Sequence, residues 1–318
     1  MTLKSILSGC CLVFIAMNAS AQLRWVPAAD SLRQGLPASV KLFYTNDSLD
    51  NKPFIAYYIE ADLKDKNLVF TTQVGNGKRF TPSQYYQSES RPLVVVNGTF
   101  FSFQTNQNLN MVMRDSKLRS RNVVSLKGRG KDSTRYYYIT RSAIGINRKR
   151  EADVAWVFTD SSMTRPYAFE DSPVVAMGNA AVPKLKSLKR FDYVKWNMET
   201  AIGGGPVLIH NGAINITNKQ EQMFVSGEKD KHPRTAMGYT RSGKLIILVI
   251  QGRSPGKAEG ATLQQEAEIL YNLGCYEALN LDGGGSSCML VNGKETIKPS
   301  DAAGQRPVPA VFLISIKK

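Results

Sequence analysis

The chain has 318 residues, 42% of them hydrophobic and 21% charged, and its formal net charge is +15. This is ordinary globular composition, with enough apolar material for a sizeable core. The basic residues are dispersed instead of gathered on one helix with interleaved aromatic residues, so we expect an anionic partner but no nucleic acid.

The N-terminus carries the pattern of a secretory signal. Lys4 precedes an apolar stretch at residues 6–17, and small residues follow at 19–21, which matches the basic, apolar and cleavage regions of a signal peptide. We therefore expect residues 1–21 to be removed and residues 22–318 to form one exported domain, whether periplasmic, cell-surface or secreted. No other run reaches the roughly 18 apolar residues that a membrane span needs, so no stable membrane insertion is predicted after removal of the signal.

Cysteine usage argues against a disulfide-stapled scaffold. Of the four cysteines, Cys10 and Cys11 leave with the predicted signal, and only Cys275 and Cys288 remain. These two could pair in an oxidising compartment, but a turn between them would place Cys275 nearer Asn292 than Cys288. The sequence leaves their redox state open.

Short runs rich in Val, Ile, Tyr and Phe, separated by turn residues, predict many strands. In chain order they lie at residues 40–44, 55–59, 68–72, 93–96, 136–140, 143–147, 154–158, 206–209, 234–238, 245–250, 278–281 and 308–316. The run at 245–250 is continuously apolar, which is typical of a central strand buried on both faces. Residues 105–135 are polar and predict a long excursion, either a lid or an insertion.

Only two helices are predicted. Pro82 opens a short helix that ends at Ser88, and a longer helix spans residues 262–273, where Thr262 and Gln265 form a capping box. The helices do not alternate regularly with the strands. The expected fold class is therefore α+β, a strand-rich mixed sheet with few helices in a single domain.

A glycine triplet late in the chain follows an aspartate and precedes two serines. Glycine loses the most backbone freedom on ordering, so such a run is accepted where the backbone needs a positive φ or where another group must come close. Successive backbone N–H groups in such a bend can bind an anion. A plain strand–turn–strand loop is the competing interpretation. The candidate residues are Asp282, Gly283, Gly284, Gly285, Ser286 and Ser287.

Other strands also begin or end in polar residues. One leads into Asn97 and Gly98, another leads into Arg253, and a third opens with Arg234. A second glycine triplet, at residues 203–205, runs into a strand. Side chains at the strand ends of a rigid sheet are a common arrangement for a site, whereas each arginine taken alone more often forms a surface ion pair.

Several other chemistries are excluded. His210 and His232 are the only histidines, which rules out zinc sites built on a His-x-x-x-His pair. The chain contains no P-loop or dinucleotide fingerprint. Carboxylates are not clustered in the sequence, so neither a metal nor a cofactor is predicted; loss of activity on chelation would revive a divalent cation at Asp282.

In order and spacing, these segments resemble the motifs of the phosphodiester glycosidase family. The resemblance covers about residues 55–316 and rests on six segments: 97–101 (NGTFF), 203–208 (GGGPVL), 233–238 (PRTAMG), 252–253 (GR), 260–267 (GATLQQEA) and 278–287 (ALNLDGGGSS). A collinear series is far more specific than one motif. It implies an exported hydrolase that cleaves the bond between the anomeric carbon of a sugar and a phosphodiester oxygen. The implied partner is a sugar phosphodiester or an anionic glycan.

The chemistry of that reaction assigns roles within the motifs. A phosphate leaving group is a weak base and needs little general-acid help, so catalysis rests on stabilising phosphate charge and an oxocarbenium-like carbon. The expected catalytic residues are Asp282, as nucleophile, base or electrostatic partner, with Arg234 and Asn97. The expected substrate contacts are Arg253, Gly98, Gly204, Gly205, Thr235, Gly283, Gly284, Gly285, Ser286, Ser287, His232 and Glu266. Glu266 is a candidate second carboxylate or, equally, a helix-face partner of a core arginine.

Two positions depart from the family pattern. Thr99 stands where the family usually has Gly, and Gln305 stands where it tends to have Glu. These departures keep open an alternative function, a non-catalytic binder of anionic or phosphorylated glycans on the same fold. The sequence does not name the sugar, the aglycone, the retaining or inverting outcome, the second catalytic carboxylate or the oligomeric state.

Overall fold

The computed structural model describes residues 23–160, 162, 164–188, 192–224 and 229–317. The predicted signal at 1–21 lies outside the described residues. The helices are α1 (Asp30–Arg33), α2 (Pro82–Ser88) and α3 (Leu263–Asn272). The strands, in chain order, are β1 (Val26–Pro27), β2 (Val40–Thr45), β3 (Ser48–Leu49), β4 (Lys52–Pro53), β5 (Ala56–Asp62), β6 (Leu68–Val74), β7 (Val94–Asn97), β8 (Val112–Arg114), β9 (Lys117–Ser120), β10 (Ser125–Lys127), β11 (Tyr136–Tyr138), β12 (Arg141–Ile146), β13 (Ala152–Phe158), β14 (Tyr167–Phe169), β15 (Ala176–Gly178), β16 (Val194–Lys195), β17 (Thr200–Gly203), β18 (Val207–His210), β19 (Ala213–Ile214), β20 (Arg234–Thr240), β21 (Lys244–Ile250), β22 (Cys275–Asn280), β23 (Met289–Val291), β24 (Lys294–Glu295) and β25 (Ala310–Ile316). Within these ranges, no helix has both the length and the apolar character needed to cross a bilayer.

Three larger sheets build the molecule. The eight-stranded sheet has the order β1-β2-β5-β21-β20-β22-β18-β19, the seven-stranded sheet the order β16-β14-β13-β12-β17-β8-β9, and the five-stranded sheet the order β24-β23-β7-β25-β6. Strands β10, β11 and β15 form a small sheet, and β3 pairs with β4. The predicted strand-rich α+β character with few helices is therefore observed.

The expectation of a mixed sheet is wrong, because every strand pair in the described part of the chain is antiparallel. The physical reason lies at α3, which connects β21 to β22. These two strands run in the same direction, but β20 lies between them and is antiparallel to both. A helix therefore connects two strands of the same direction that are not neighbours in the sheet, so no parallel pair forms.

The prediction of a central strand buried on both faces is confirmed by β21. It pairs with β5 and β20, and every residue after Lys244 is buried. Leu245, Ile247 and Val249 face the core that the eight-stranded sheet shares with the other two large sheets. The alternate residues pack against α3 on the opposite face. A continuous apolar run is therefore what this strand requires.

Both predicted helices are present, each with a capping box. The Thr262 side chain accepts from the Gln265 N–H at 3.1 Å, and Thr81 caps α2 in the same way. Helix α3 lies on the eight-stranded sheet, whereas α2 lies on the five-stranded sheet, where Tyr85 packs in one cluster with Val95. Each helix therefore covers the outer face of a sheet whose inner face forms the shared core.

The predicted excursion at residues 105–135 contains three strands, β8, β9 and β10, so its description as a plain excursion is wrong. Val112 and Met113 of β8 are buried beside β17 of the seven-stranded sheet. In β9 the exposed residues alternate with half-buried ones. This period of two is hard to see in the sequence because the strands are short and rich in Lys and Arg.

Cys275 and Cys288 are both free and buried. Cys275 packs in the cluster beneath α3, and Cys288 packs in the cluster beneath α2. Because they belong to separate clusters on different sheets, they serve as small apolar side chains.

The cap of α3 offers a test of the fold. Thr262→Ala removes the oxygen that accepts the Gln265 N–H, and we expect the free energy of unfolding to fall by about 1 kcal/mol. Gln264→Ala, at an exposed position of the same turn, is the matched control and should change stability by less than about 0.5 kcal/mol. Denaturant unfolding measures both variants, and equal stabilities would show that the cap contributes nothing.

Candidate active site

The register of the eight-stranded sheet brings three strand ends to one edge. Arg234 begins β20 and pairs with Ile250, the last residue of β21, and the end of β22 lies on the other side of β20. The segments that leave β21 and β22 carry Arg253 and Asp282. In an antiparallel register these segments must emerge beside the start of β20.

Asn97, the last residue of β7, ties the five-stranded sheet to this edge. Its side-chain N–H donates to the Asp282 carbonyl at 2.5 Å. Its side-chain oxygen accepts from the Thr235 hydroxyl at 2.9 Å and from the Cys288 N–H at 3.0 Å. The side chain is fully buried. The sequence predicts a catalytic Asn97; in the structure its oxygen and its amide are both engaged with protein groups.

Gly98 and Thr235 also lie beneath the acidic turn. The Gly98 carbonyl accepts from the Asp282 N–H at 2.9 Å, and a Cβ at Gly98 would overlap Ile202. Thr235 is fully buried, with its hydroxyl used by Asn97. Both residues therefore support Asp282 from behind, whereas the sequence predicts that they contact substrate.

Two guanidinium groups lie against the glycine turn. Gly284 has a φ of 62°, and its N–H donates to the Pro233 carbonyl at 2.8 Å. A Cβ on Gly284 would lie 3.0 Å from Nη2 of Arg253, and a Cβ on Gly285 would overlap Arg306. Gly284 thus meets both requirements for glycine, a left-handed backbone and a close neighbour. Because Arg253 is exposed, its charge is available to an anion at the turn.

Asp282 is the partly exposed acid of the site. Burial raises the pKa of its carboxyl to about 7, while the hydrogen bond from Ser286, the charge of Arg306 and the Gly283 N–H act in the opposite direction. Arg306 donates to the Ser286 hydroxyl at 3.5 Å. Asp301 accepts from the same guanidinium at 2.7 and 2.9 Å. Near neutral pH the carboxyl therefore exchanges between its two protonation states beside a fixed cation.

Arg306 also reaches the candidate site, although the sequence motifs do not single it out. It lies in the segment 304–307, directly after Gln305. The Gln305 side chain accepts from the Ser83 N–H at 2.8 Å and donates to the Ser83 hydroxyl at 2.7 Å and to Glu295 at 2.6 Å. It therefore holds the start of α2, and the next residue in the chain is the one that reaches the site.

A buried arginine and a buried glutamate lie behind the turn. Arg234 donates to the carbonyls of Ala261 at 2.9 Å and Asp230 at 3.1 Å. Glu266 of α3 is fully buried, and neither of its carboxylate oxygens has a hydrogen-bond partner in the described ranges. Burial raises the pKa of Glu266 to about 8, against the charge of Arg234. Glu266 is therefore mostly neutral at pH 7, and the guanidinium keeps its positive charge.

His232 lies next to this pair in the chain. Its backbone bridges to Ala261, and the side chain is half-buried. Burial lowers the pKa of His232, and the charges of Arg234 and Arg253 lower it further, while Asp230 raises it. The imidazole is therefore neutral near pH 7.

The second glycine triplet lies in the core. The Gly204 N–H donates to the Ser142 carbonyl at 3.0 Å, and the Gly205 N–H donates to the Asn280 carbonyl at 2.7 Å. The sequence predicts that these glycines contact substrate. Both are buried, however, and their N–H groups are not open to a ligand. Ser287 is likewise buried. These residues pack under the end of β22 that carries Asp282.

The described residues contain no group of three or more His, Cys, Asp and Glu side chains that could hold a metal ion. What the site offers is a carboxyl with a pKa near neutrality, a hydroxyl, and two guanidinium groups against a bare glycine turn. This arrangement suits an anion held next to a reacting carbon. Fold and site together define a strand-rich protein with an acid beside two guanidinium groups at a glycine turn.

The chain belongs to the phosphodiester glycosidase family, whose model matches residues 90–315. It is 35% identical over 103 residues to the Bos taurus N-acetylglucosamine-1-phosphodiester alpha-N-acetylglucosaminidase, a match that covers 30% of this chain and 19% of that protein. It is 41% identical over 85 residues to the Bacillus subtilis prophage-derived uncharacterized protein YomE, covering 27% of this chain and 13% of that one. The matches thus span about a fifth or less of these relatives' lengths.

Solved structures share the fold. The zebrafish N-acetylglucosamine-1-phosphodiester alpha-N-acetylglucosaminidase catalytic domain superposes with a TM-score of 0.59 at 20% identity, covering 93% of this chain and 89% of that one. A putative exported protein from Burkholderia pseudomallei superposes with a TM-score of 0.52 at 16% identity, covering 86% of this chain and 75% of that one. At these identities the likeness concerns the fold alone.

The buried Glu266 predicts a pH dependence of stability. Its pKa is raised from 4.5 to about 8, so between these values the folded state holds a proton that the unfolded state has released. The free energy of unfolding therefore falls as pH rises through this window, by up to about 1.4 kcal/mol per pH unit. Glu266→Gln removes this contribution and should make the protein more stable than the parent at pH 8, with the difference shrinking toward pH 4.5.

Urea unfolding at several pH values measures this effect. Glu268→Gln, which neutralises a partly exposed carboxylate of the same helix, is the matched control and should keep the parent's pH slope. Identical slopes for the parent and Glu266→Gln would contradict the assignment of a raised pKa to Glu266.

Proposed function

We propose that this chain is an exported hydrolase that cleaves the bond between a sugar's anomeric carbon and a phosphodiester oxygen. One observation carries the proposal: the Asp282 carboxyl, Ser286 and Arg306 form one hydrogen-bonded group at a glycine turn that Arg253 also touches. An acid for the sugar and a cationic cradle for the phosphate are the two components that this reaction needs. Family membership supports the same reaction class.

The phosphate binds over the glycine turn in this proposal. Gly284 and Gly285 carry no side chain that would fill the space beside the guanidinium groups of Arg253 and Arg306. Guanidinium groups hold phosphate oxygens through paired, charge-assisted hydrogen bonds. Their charge also stabilises the departing phosphate, which is a weak base and needs little proton donation.

Asp282 acts on the sugar side, as its carboxylate. The anomeric carbon gains positive charge as the bond to phosphate breaks, and a nearby carboxylate stabilises that charge or forms a bond to the carbon. Because burial raises the pKa of Asp282 to about 7, turnover should increase with pH up to about neutrality. Ser286 donates to this carboxylate and fixes its orientation.

Arg234, Glu266 and His232 form the back wall. Arg234 is 4% exposed and is held by two backbone carbonyls, so we assign it a positioning and electrostatic role. With Glu266 protonated and His232 neutral near pH 7, the charge of Arg234 is not cancelled and adds to the positive field at the turn. In this proposal His232 and Glu266 do not contact the substrate as the sequence predicts. They support the phosphate site by leaving the charge of Arg234 uncancelled.

An α-N-acetylglucosamine-1-phosphate methyl diester is the first substrate to test, because the vertebrate relatives are named for an N-acetylglucosamine-1-phosphodiester. Asp282→Asn should lower kcat by at least about 10³-fold, since removal of a central catalytic carboxylate commonly costs this much. Release of free sugar measures the rate, and circular dichroism checks folding. Asp171→Asn, at an exposed position outside the site, is the matched control and should retain parental activity.

The same experiment tests the alternative, a binder of anionic glycans without turnover. Gln305 bonds to Ser83 and Glu295, so the position where the family tends to have Glu supplies no second carboxylate beside Asp282. Parental turnover by Asp282→Asn would overturn its catalytic assignment. Tight binding of the diester by the parent, with no sugar released over long incubation, would favour the binder.

The phosphate cradle predicts a separate result for Arg253. Arg253→Ala should lower kcat/KM for the methyl diester by roughly tenfold to a hundredfold, which corresponds to the loss of one or two charge-assisted hydrogen bonds. Arg253→Lys keeps the charge without the paired geometry and should recover only part of the loss. Arg241→Ala, at an exposed arginine that stacks on Tyr276, is the control. Equal kinetics of Arg253→Ala and the parent would show that Arg253 does not bind the phosphate.

A further inference from the structure

A closed loop lies next to the site and the proposed function does not use it. It runs from Phe101 to Asn108, which face each other in a β-bridge, and the Ser102 N–H donates to the Gln107 carbonyl at 3.0 Å. The buried Thr99 hydroxyl bonds to the Asn108 side chain. The loop is therefore held in one shape by its own backbone and by the motif segment that begins at Asn97.

Phe103 near the tip of this loop is 62% exposed, which is costly for a phenyl ring in water. The guanidinium carbons of Arg79 and Arg306 each lie 5.4 Å from the centre of its ring. Phe101 lies 4.8 Å from it, centre to centre, and also contacts Arg79 at 5.1 Å. An exposed ring with two guanidinium groups close to it is an apolar surface with anion-binding groups beside it.

Arg306 connects this surface to the reaction centre. The guanidinium that contacts Phe103 also donates to Ser286 and is held by Asp301. A phosphate bound at Arg306 would therefore lie close to Phe103. A group esterified to that phosphate would be near the ring and near Arg79, which contacts the same ring.

A cavity of about 360 Å³ is bordered by the closed loop and by the segment that precedes Arg79. It is lined by Asn76, Asn106, Gln107, Asn108, Arg119 and Arg121, among others. Asn76 stands three residues before Arg79. Residues 106–108 follow Phe103 in the closed loop. Amide groups suit sugar hydroxyls and guanidinium groups suit anionic oxygens, so the lining matches a charged carbohydrate.

We propose that Phe103, Arg79 and this cavity form a subsite for the leaving-group side of an extended anionic glycan. This inference rests on the proposed function and deepens it: the substrate class is a carbohydrate polymer joined through phosphodiesters, in preference to a small diester. The next sugar ring of the chain stacks on Phe103, and its following anionic group lies between Arg79 and the arginines of the cavity. The net charge of +15 favours a polyanion through the same field.

The test compares two substrates that share the reacting bond. One is the α-N-acetylglucosamine-1-phosphate methyl diester, and the other is an oligomer of at least three N-acetylglucosamine units joined by phosphodiesters. Phe103→Ala and Arg79→Ala should each raise KM for the oligomer about tenfold and leave kinetics on the methyl diester within about twofold. Phe103→Tyr keeps the ring and should restore the KM for the oligomer, and Tyr271→Ala, an exposed aromatic on α3, should behave as the parent.

An equal effect of Phe103→Ala on both substrates, or no effect on the oligomer, would overturn the subsite. If the parent turns over neither substrate, the proposed function fails, and calorimetric binding of the oligomer tests the subsite by itself. An affinity that falls about tenfold in Phe103→Ala and Arg79→Ala would then support it. Equal affinities, or no binding by the parent, would refute it.

Discussion

Three hydrogen bonds of Asn97 hold together the strand ends on which the candidate site is built. This side chain leaves β7 in the five-stranded sheet and reaches Asp282, Thr235 and Cys288, which lie at or just beyond the ends of β22, β20 and β23. A buried amide that lost these partners would cost about 1–3 kcal/mol for each group left unsatisfied. The arrangement therefore permits one relative position of the two sheets at this edge, and that position presents Asp282.

Asn97 and Gly98 bind the backbone of Asp282. The position of the turn therefore does not depend on hydrogen bonds of the Asp282 carboxyl. Its partners are the Ser286 hydroxyl and the Arg306 cation. Behind the turn, two backbone carbonyls hold Arg234 in place. Glu266 next to it has no hydrogen bond from the described residues. A protonated Glu266 fills space without neutralising the arginine, so the cradle remains cationic although acids lie nearby.

Patterns that depend on near neighbours in the sequence predicted the fold well. The apolar run of β21 and the capping box of α3 each involve residues within one strand or one turn, and both were confirmed. The antiparallel pairing throughout and the strands of residues 105–135 depend on which strand lies alongside, which periodicity does not encode. Motif order pointed to one edge for Arg234, Arg253 and Asp282, but it could not separate a side chain that faces the ligand from one that faces the core. Asn97 is the clearest case, because its partners stand 138 to 191 residues away.

Thr99, which departs from the family pattern, makes a contact that the usual glycine could not make. A glycine there would leave the Asn108 side chain without the hydroxyl that binds it, and Asn108 closes the loop that carries Phe103. In our proposal, Thr99 therefore links the segment that positions Asp282 with the loop of the proposed subsite. A change at Thr99 would then act on loop geometry while leaving Asp282 and its cations in place, and would alter the choice of substrate without altering the chemistry.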